Sequence, residues 1–329
     1  MLASSLRRMP LARRPLTACA ILIAACTQGC AARVPARAPL PVGVEAVSLL
    51  GDTLRALPLG ADVRARYERQ LAEARLAYEH TPRDADSVIW LGRRLAYLGR
   101  FREAIDVYTR GIARHPSDAR LYRHRGHRYI SVREFDHAVA DLVRASDLAF
   151  GTADQVEPDG QPNAQNRPIG TLQSNIAYHL GLAYYLQGDF ARAAAVFDRE
   201  VDVARNDDRR VSALHWLYMS LRRQGRDAEA EDAIVPVKRE MQVIENGTYH
   251  RLLLMYKGIL PPDSLLTSGP NGEMSVTDAT AAYGVGNWHL YNGRRAEAER
   301  IFRRIVAGGQ WGAFGYIAAE AEIARLSRQ

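Results

Sequence analysis

The sequence predicts an all-α fold, a solenoid of stacked helix-turn-helix units. Three observations carry that prediction: a 34-residue period, an alanine at the same place in five copies, and a glycine at the turn of four. In LGRRLAYLGRFREAIDVYTRGIARHP (Leu91 to Pro116) Gly92 interrupts a helical pattern. An interior glycine costs up to about 1 kcal/mol against alanine, so its recurrence needs a packing reason. The first copy has Leu91-Gly92, Leu95, Ala104, Tyr108 and Pro116, and the second Gly126, Tyr129, Ala138, Leu142 and Ala145. A third gives Leu180-Gly181, Tyr184, Ala193 and Phe197. The fourth has Leu217, Leu221, Ala230 and Ile234, with Tyr218 at the glycine place. The last has Gly286, His289, Ala298 and Phe302. The turns carry Gly99, Gly188, Gly225 and Gly293, with Arg133 the exception. Two antiparallel helices joined by a short turn are expected to approach most closely where Gly92 faces Ala104.

The elements follow in order. Residues 1–25 form a leader with Arg7, Arg8, Arg13 and Arg14, no acid, and an apolar run from Leu16 to Ala25. That run is too short to span a bilayer and suits a signal-peptide core. Ile23-Ala24-Ala25-Cys26 resembles a lipobox, which implies diacylation of Cys26, and Thr27 after it implies outer-membrane sorting. Residues 26–44 read as a Pro- and Ala-rich tether. Residues 45–84 read as an irregular helical unit ending in a helix from Ala65 to His80. Residues 85–150 hold the first two copies, and 151–173 a Gly-, Pro-, Asn- and Asp-rich insertion expected to loop out at one edge. Copies three and four occupy 174–244. In the degenerate unit, 245–278, YHRLLLMYKGILPPDSLL reads as a helix, a turn at Gly258 and a very short second helix. The final copy spans 279–312, and 313–329 reads as a solvent-facing capping helix.

Taking the four leader arginines from the 44 basic residues leaves 40 against 37 acidic ones. The near-balanced body argues against a nucleic-acid partner, despite a sequence pI of about 9.4. All three cysteines (Cys19, Cys26, Cys30) precede the body, which excludes a disulfide framework or a thiolate metal site there. No Gly-rich phosphate loop, HExxH or GxSxG occurs, so neither an enzyme nor a cofactor is expected. His124 and His127, with His137 on the next helix, are the only histidine group with metal-like spacing, and they fit a polar face better. Asp154, Glu157 and Asp159 match no EF-hand and read as a solvated acidic loop.

The copies resemble the tetratricopeptide repeat at nearly every patterned position, over residues 51–329. The resemblance implies a right-handed superhelix whose first helices line a concave, peptide-binding groove. Carried onto this chain, that face comprises Arg93, Tyr97, Arg123, His127, Asn175, Tyr178, Tyr185, His215, Met219, Arg222, Tyr283, Asn287 and Tyr291. Arginine, tyrosine, histidine and asparagine combine contact area with hydrogen bonding, as binding surfaces require. Of the family's carboxylate-clamp positions only Asn287 matches, which argues against chaperone-tail binding. The lipidated leader together with YKGILPPDSLL resembles bacterial outer-membrane adaptor lipoproteins. The expected function is therefore a membrane-tethered, non-enzymatic scaffold for an envelope protein or peptide. An assembly factor of the pilotin or outer-membrane-insertion kind is the first alternative. A metal-dependent module built on residues 124–159 is the second.

Overall fold

The computed structural model describes residues 40–267 and 274–328. The leader, Cys26, most of the tether and residues 268–273 of the degenerate unit's linker lie outside them. The described residues contain thirteen α-helices and one two-stranded hairpin. The first helices of the five copies are α2 (Ala85–Tyr97), α4 (Ala119–Ser131), α6 (Leu172–Gln187), α8 (Asp207–Arg222) and α11 (Val276–Tyr291). Their partners are α3 (Phe101–Arg114), α5 (Phe135–Ala149), α7 (Phe190–Val203), α9 (Asp227–Ile234) and α12 (Arg295–Ala307). Ahead of them lies α1 (Ala61–His80). The degenerate unit supplies α10 (Gly247–Tyr256), a left-handed turn at Gly258 and a 3₁₀ turn at Pro262–Leu265, as its sequence predicts. The last helix is α13 (Phe314–Leu326).

First and second helices begin differently. Each first helix starts from a loop and is capped by a side chain: Asp84, Asp118, Thr171, Asn206 and Ser275 accept from backbone N–H groups of the first turn. The second helices leave directly from a tight turn, and four of the five lack a side-chain cap. In all five turns one bond recurs, spanning five residues: Arg100 N to Leu95 O, Glu134 to Tyr129, Asp189 to Tyr184, Arg226 to Leu221, and Arg294 to His289. That geometry needs a left-handed residue, supplied by Gly99, Gly188, Gly225 and Gly293. In the second copy Arg133 takes the position at φ 64°, and its guanidinium is buried in an ion pair with Glu320 of α13.

The repeated alanines Ala104, Ala138, Ala193, Ala230 and Ala298 all have zero exposure. The helix-interior glycine, however, faces a different residue from the one expected. A Cβ on Gly92 would lie 2.3 Å from the Tyr108 ring, on Gly126 2.7 Å from Leu142, on Gly181 2.6 Å from Phe197 and on Gly286 2.7 Å from Phe302. The glycine thus seats the large side chain 16 positions later, while the alanine lets the backbones meet. In the fourth copy Tyr218 stands there instead. The second helix, α9, is only eight residues long, and Tyr218 stacks on Tyr256 of α10 at 4.4 Å.

Three expectations are corrected. Residues 45–84 are not wholly helical: strands β1 (Ala46–Val47) and β2 (Thr53–Leu54) form an antiparallel hairpin before α1. The hairpin is tied to distant elements, Glu45 accepting from Arg102 N of α3 and Arg55 O accepting from Trp311 Nε1. The capping helix α13 packs on the last repeat but is buried more deeply than a cap needs to be. Gly315 to Ile323 are all buried, against α11, α12 and α6. Lastly, the insertion does not loop out at an edge but folds back over the first helices.

Candidate functional site

Neighbouring first helices touch one another in series, so α2, α4, α6, α8 and α11 form a continuous inner row. Its N-terminal half receives the insertion. Val156 and Thr171 pair as an antiparallel bridge, with Glu157 N donating to Gly170 O and Leu172 N to Gln155 O. This stem sets Glu157 against α4 and α6. Its carboxylate accepts from Asn175 Nδ2 at 2.8 Å and lies 3.2 Å from Arg123 Nε and 3.1 Å from His124 Nε2. Arg123 Nη1 donates to His124 Nδ1, so the imidazole proton lies on Nε2, facing Glu157. Burial alone would raise the Glu157 carboxyl; Arg123, His124 and Asn175 overcome that and hold it far below the carboxylate range. Burial, followed by the Arg123 charge, lowers His124 to about 4, so the ring is neutral at pH 7.

The chain beyond Glu157 is held through its backbone. Arg93 Nη1 donates to Pro158 O at 2.8 Å and Arg94 Nη1 to Gly160 O at 3.2 Å. A Cβ on Gly160 would lie 1.6 Å from the Tyr97 hydroxyl oxygen, so only glycine permits this approach. Beside the loop is a polar cavity of about 310 Å³, lined among others by Arg93, Glu157, Asn175, Tyr178, Glu200 and Tyr249. Tyr178 and Tyr249 share a 2.7 Å hydroxyl contact, and Glu200 pairs with Arg209 at 2.7 Å. Asp159 Oδ2, also on the cavity lining, is buried without a donor.

The C-terminal half of the row is sealed. Tyr185 Oη accepts from Tyr283 Oη at 2.7 Å and from Asn287 Nδ2 at 2.9 Å, joining α6 directly to α11. His215, in α8, stacks between Tyr249 and Tyr256, and burial lowers its pKa to about 3. Over this region lies α13, anchored by two carboxylates of zero exposure. Glu320 takes Arg133 Nη2 at 2.7 Å and the Leu49 N–H; Glu322 takes Arg223 Nη1 at 2.5 Å and Arg325 Nη2 at 2.6 Å. Burial would raise Glu322, but Arg223 and Arg325 hold it below its ordinary value.

The thirteen residues assigned to a partner-binding face therefore divide. Arg93, Tyr97, Arg123, His127, Asn175, Tyr178, Arg222 and Tyr291 are partly buried. Tyr185, His215, Met219, Tyr283 and Asn287 are buried, none above 1% exposure, so these five present no surface to a partner. The reason is that α10 covers His215 and that α6 and α11 meet directly through Tyr185, Tyr283 and Asn287. The residues of the metal-dependent alternative are drawn into separate contacts. His124 faces Glu157, His127 stacks on His179 at 4.2 Å and against Phe314, and His137 lies exposed beside Glu134. Asp154 accepts from Gln173 N, away from Glu157. Among the described residues no three His, Cys, Asp or Glu side chains are placed to share a metal ion.

Sequence reasoning missed Glu157 as an anchor, and it missed Arg133, Glu320 and Glu322 as buried partners. A signal for the last three existed. Arg133 occupies a glycine position, and two glutamates stand in the otherwise apolar YIAAEAEIA.

A family model described as tetratricopeptide repeat matches residues 91–120 and 177–211, most of the first and third copies and the start of the helix after each. Two stretches of the chain thus match the tetratricopeptide repeat. A comparison with curated proteins finds no match. Among solved structures, the chain is similar to YrrB, described as a tetratricopeptide protein with an unusual peptide-binding site. Identity there is 17%, covering 71% of this chain and 91% of that one, with a TM-score of 0.40. A tetratricopeptide repeat protein from Parabacteroides merdae matches at 15% identity, 78% and 93% coverage and a TM-score of 0.46. MamA matches at 14%, 62% and 99%, with a TM-score of 0.41.

Proposed function

We propose that the protein is a non-enzymatic scaffold, anchored to the bacterial outer membrane through a lipid on Cys26 and facing the periplasm. On this reading it binds a protein or peptide on the N-terminal half of its inner row, as an envelope-biogenesis adaptor. Tetratricopeptide repeats serve protein interaction, which supports the scaffold itself. The anchor is supported by the leader: an acid-free basic start, a short apolar core and Ile23-Ala24-Ala25-Cys26. No described helix is long and apolar enough to cross a membrane. A stable anchor of this kind raises local concentration, so modest affinities suffice.

The observation that carries the binding reading is the polar cavity between Arg93, Asn175, Tyr178 and Tyr249, where side chains with unused donors and acceptors line an opening of about 310 Å³. Two measurements test it. Cys26→Ser is expected to move the protein from the membrane to the soluble fraction; unchanged fractionation overturns the anchor. A photo-crosslinking residue at Arg93 is expected to capture an envelope protein that the same probe at Arg144, on the second-helix face, does not. The reverse pattern overturns the inner row as the binding face.

A further inference from the structure

The residues expected to hold a partner already hold a segment of the chain itself. Arg93 and Arg94 bind the carbonyls of Pro158 and Gly160, while Arg123, His124 and Asn175 surround the Glu157 carboxylate. We infer that Glu157-Pro158-Asp159-Gly160 is a resident occupant of the binding face, and that the partner is an extended acidic segment that displaces it. The inference rests on the binding reading above and names the chemistry of its ligand.

Four observations support it. The contacts are those made to any extended peptide: two arginines on backbone carbonyls and one carboxylate in a pocket of donors, with no apolar side chain of the loop inserted. Chemical complementarity is specific, since Arg123 is nearly buried, at 11% side-chain exposure, and faces one carboxylate. The fit is also imperfect: Arg123 Nε lies near Glu157 Oε2, and Glu157 Oε1 near His124 Nε2, without an aligned hydrogen bond at either atom, and Asp159 Oδ2 has no donor. A partner's carboxylate in better register takes Arg123 Nε, while the displaced Glu157 and Asp159 oxygens return to water. Finally, most residues of 151–168 are exposed, and outside the stem bridge and the Glu157 segment the loop is held by single polar contacts: Asn163 donates to Glu245, and Gln173 donates to Asp154 and Thr152.

A tethered occupant competes with an effective concentration in the millimolar range, so it screens out weak acidic ligands without blocking strong ones. The face is then selective for a partner whose acidic segment binds well or arrives on a second anchored protein.

The test uses the full chain and a fluorescent peptide copying residues 155–160 (QVEPDG). The wild type is expected to bind it weakly. Glu157→Ala, which vacates the carboxylate position, is expected to bind at least about tenfold more tightly. Adding Arg123→Ala to that variant is expected to abolish the gain, as is a peptide with Gln and Asn in place of Glu and Asp. Glu157→Gln keeps the side-chain volume and provides the same comparison should Glu157→Ala fail to fold. Equal binding by wild type and variant means the loop excludes nothing and overturns the inference, while leaving the binding face intact. Absence of binding to either variant means these donors do not read acidic peptides, and also overturns it. Crosslinking at Arg93 reads the binding face separately.

Discussion

Up to the start of α6 the inner row meets a loop, through Arg93, Arg123, His124 and Asn175; from the end of α6 onward it meets helices, through Tyr185, His215, Tyr283 and Asn287. The same structural position thus carries ionic and hydrogen-bonding contacts at one end and aromatic packing at the other. Helical cover is laid down by burial over large areas and exchanges only by unfolding. Loop cover rests on a handful of polar contacts, centred on one carboxylate and two carbonyls, and can exchange while the helices stay in place. Binding capacity in a repeat array therefore follows what lies over the inner row, not the repeat pattern alone.

The largest expected effect breaks the sealed half. Glu320 and Arg133 are buried at 0% and 1% side-chain exposure, and the carboxylate also takes the Leu49 N–H. Glu320→Ala leaves an arginine charge buried without its partner, which costs about 3–5 kcal/mol. Urea denaturation should show that loss, accompanied by faster amide exchange in α13 and in the hairpin. A loss below about 1 kcal/mol would mean that α13 is seated by apolar packing alone.

Acid should act more strongly on the N-terminal half. His124, His127 and His179 are all lowered there, by burial first and by neighbouring arginines second, against His215 and the less buried His289 in the other half. A histidine whose folded pKa lies below its unfolded value near 6.5 takes up protons preferentially when unfolded. Stability is therefore full above about pH 6.5 and falls as pH drops toward the folded value, about 4 for His124. Glu157, whose pKa is depressed, acts in the same direction at lower pH. Each histidine contributes a slope of about 1.4 kcal/mol per pH unit. Replacing His127 with Phe should recover about 2 kcal/mol of the loss between pH 6.5 and 5. An unaltered pH profile would show that His127 is already protonated in its stack with His179.

How much of this was legible beforehand depends on the range of the interactions. The alanine and turn-glycine pattern reports contacts between helices adjacent in sequence, and these appear in all five copies, with Arg133 at the one turn that lacks glycine. The partner of Gly92 was misassigned because the sequence does not say which of Ala104 and Tyr108 stands over it; the ring of Tyr108 does. Helix α13 packs on the last repeat as a cap does, and its apolar run broken only by Glu320, Glu322 and Arg325 is the signature of a helix buried far more deeply than a cap requires. Burial of Tyr185, Tyr283 and Asn287 depends on contacts about 100 residues apart, for which local spacing carries no signal. The position of Glu157 depends on a two-residue bridge within a Pro- and Gly-rich loop, equally silent in sequence.

A smaller effect sharpens the aromatic side of the comparison. Tyr185→Phe removes one hydroxyl and leaves Tyr283 Oη and Asn287 Nδ2 without their shared acceptor. Stranding buried donors in this way costs about 1–3 kcal/mol. The lower end is expected here, because Tyr283 can turn its hydroxyl. Thermal denaturation reads the loss, and peptide binding by Glu157→Ala should be the same with or without it. A change in binding would couple the two halves.

The smallest stability effects distinguish two arginines that the sequence placed on the same face. Arg222 stacks on Tyr291 at 4.5 Å, pairs with Asp227 at 2.8 Å and is 11% exposed in its side chain. Asp227 is itself 59% exposed, so the ion pair is largely screened and most of the value of Arg222 is packing. Arg222→Ala should cost about 1 kcal/mol and leave partner capture unchanged. Arg93, by contrast, rests on the Trp90 ring and donates to one loop carbonyl. Arg93→Ala should cost no more than about 0.5 kcal/mol, yet weaken peptide binding by Glu157→Ala several-fold, because that carbonyl contact is one a bound segment would remake. If Arg222→Ala weakened binding and Arg93→Ala did not, the binding face would lie over the aromatic half, and the loop would be only a brace.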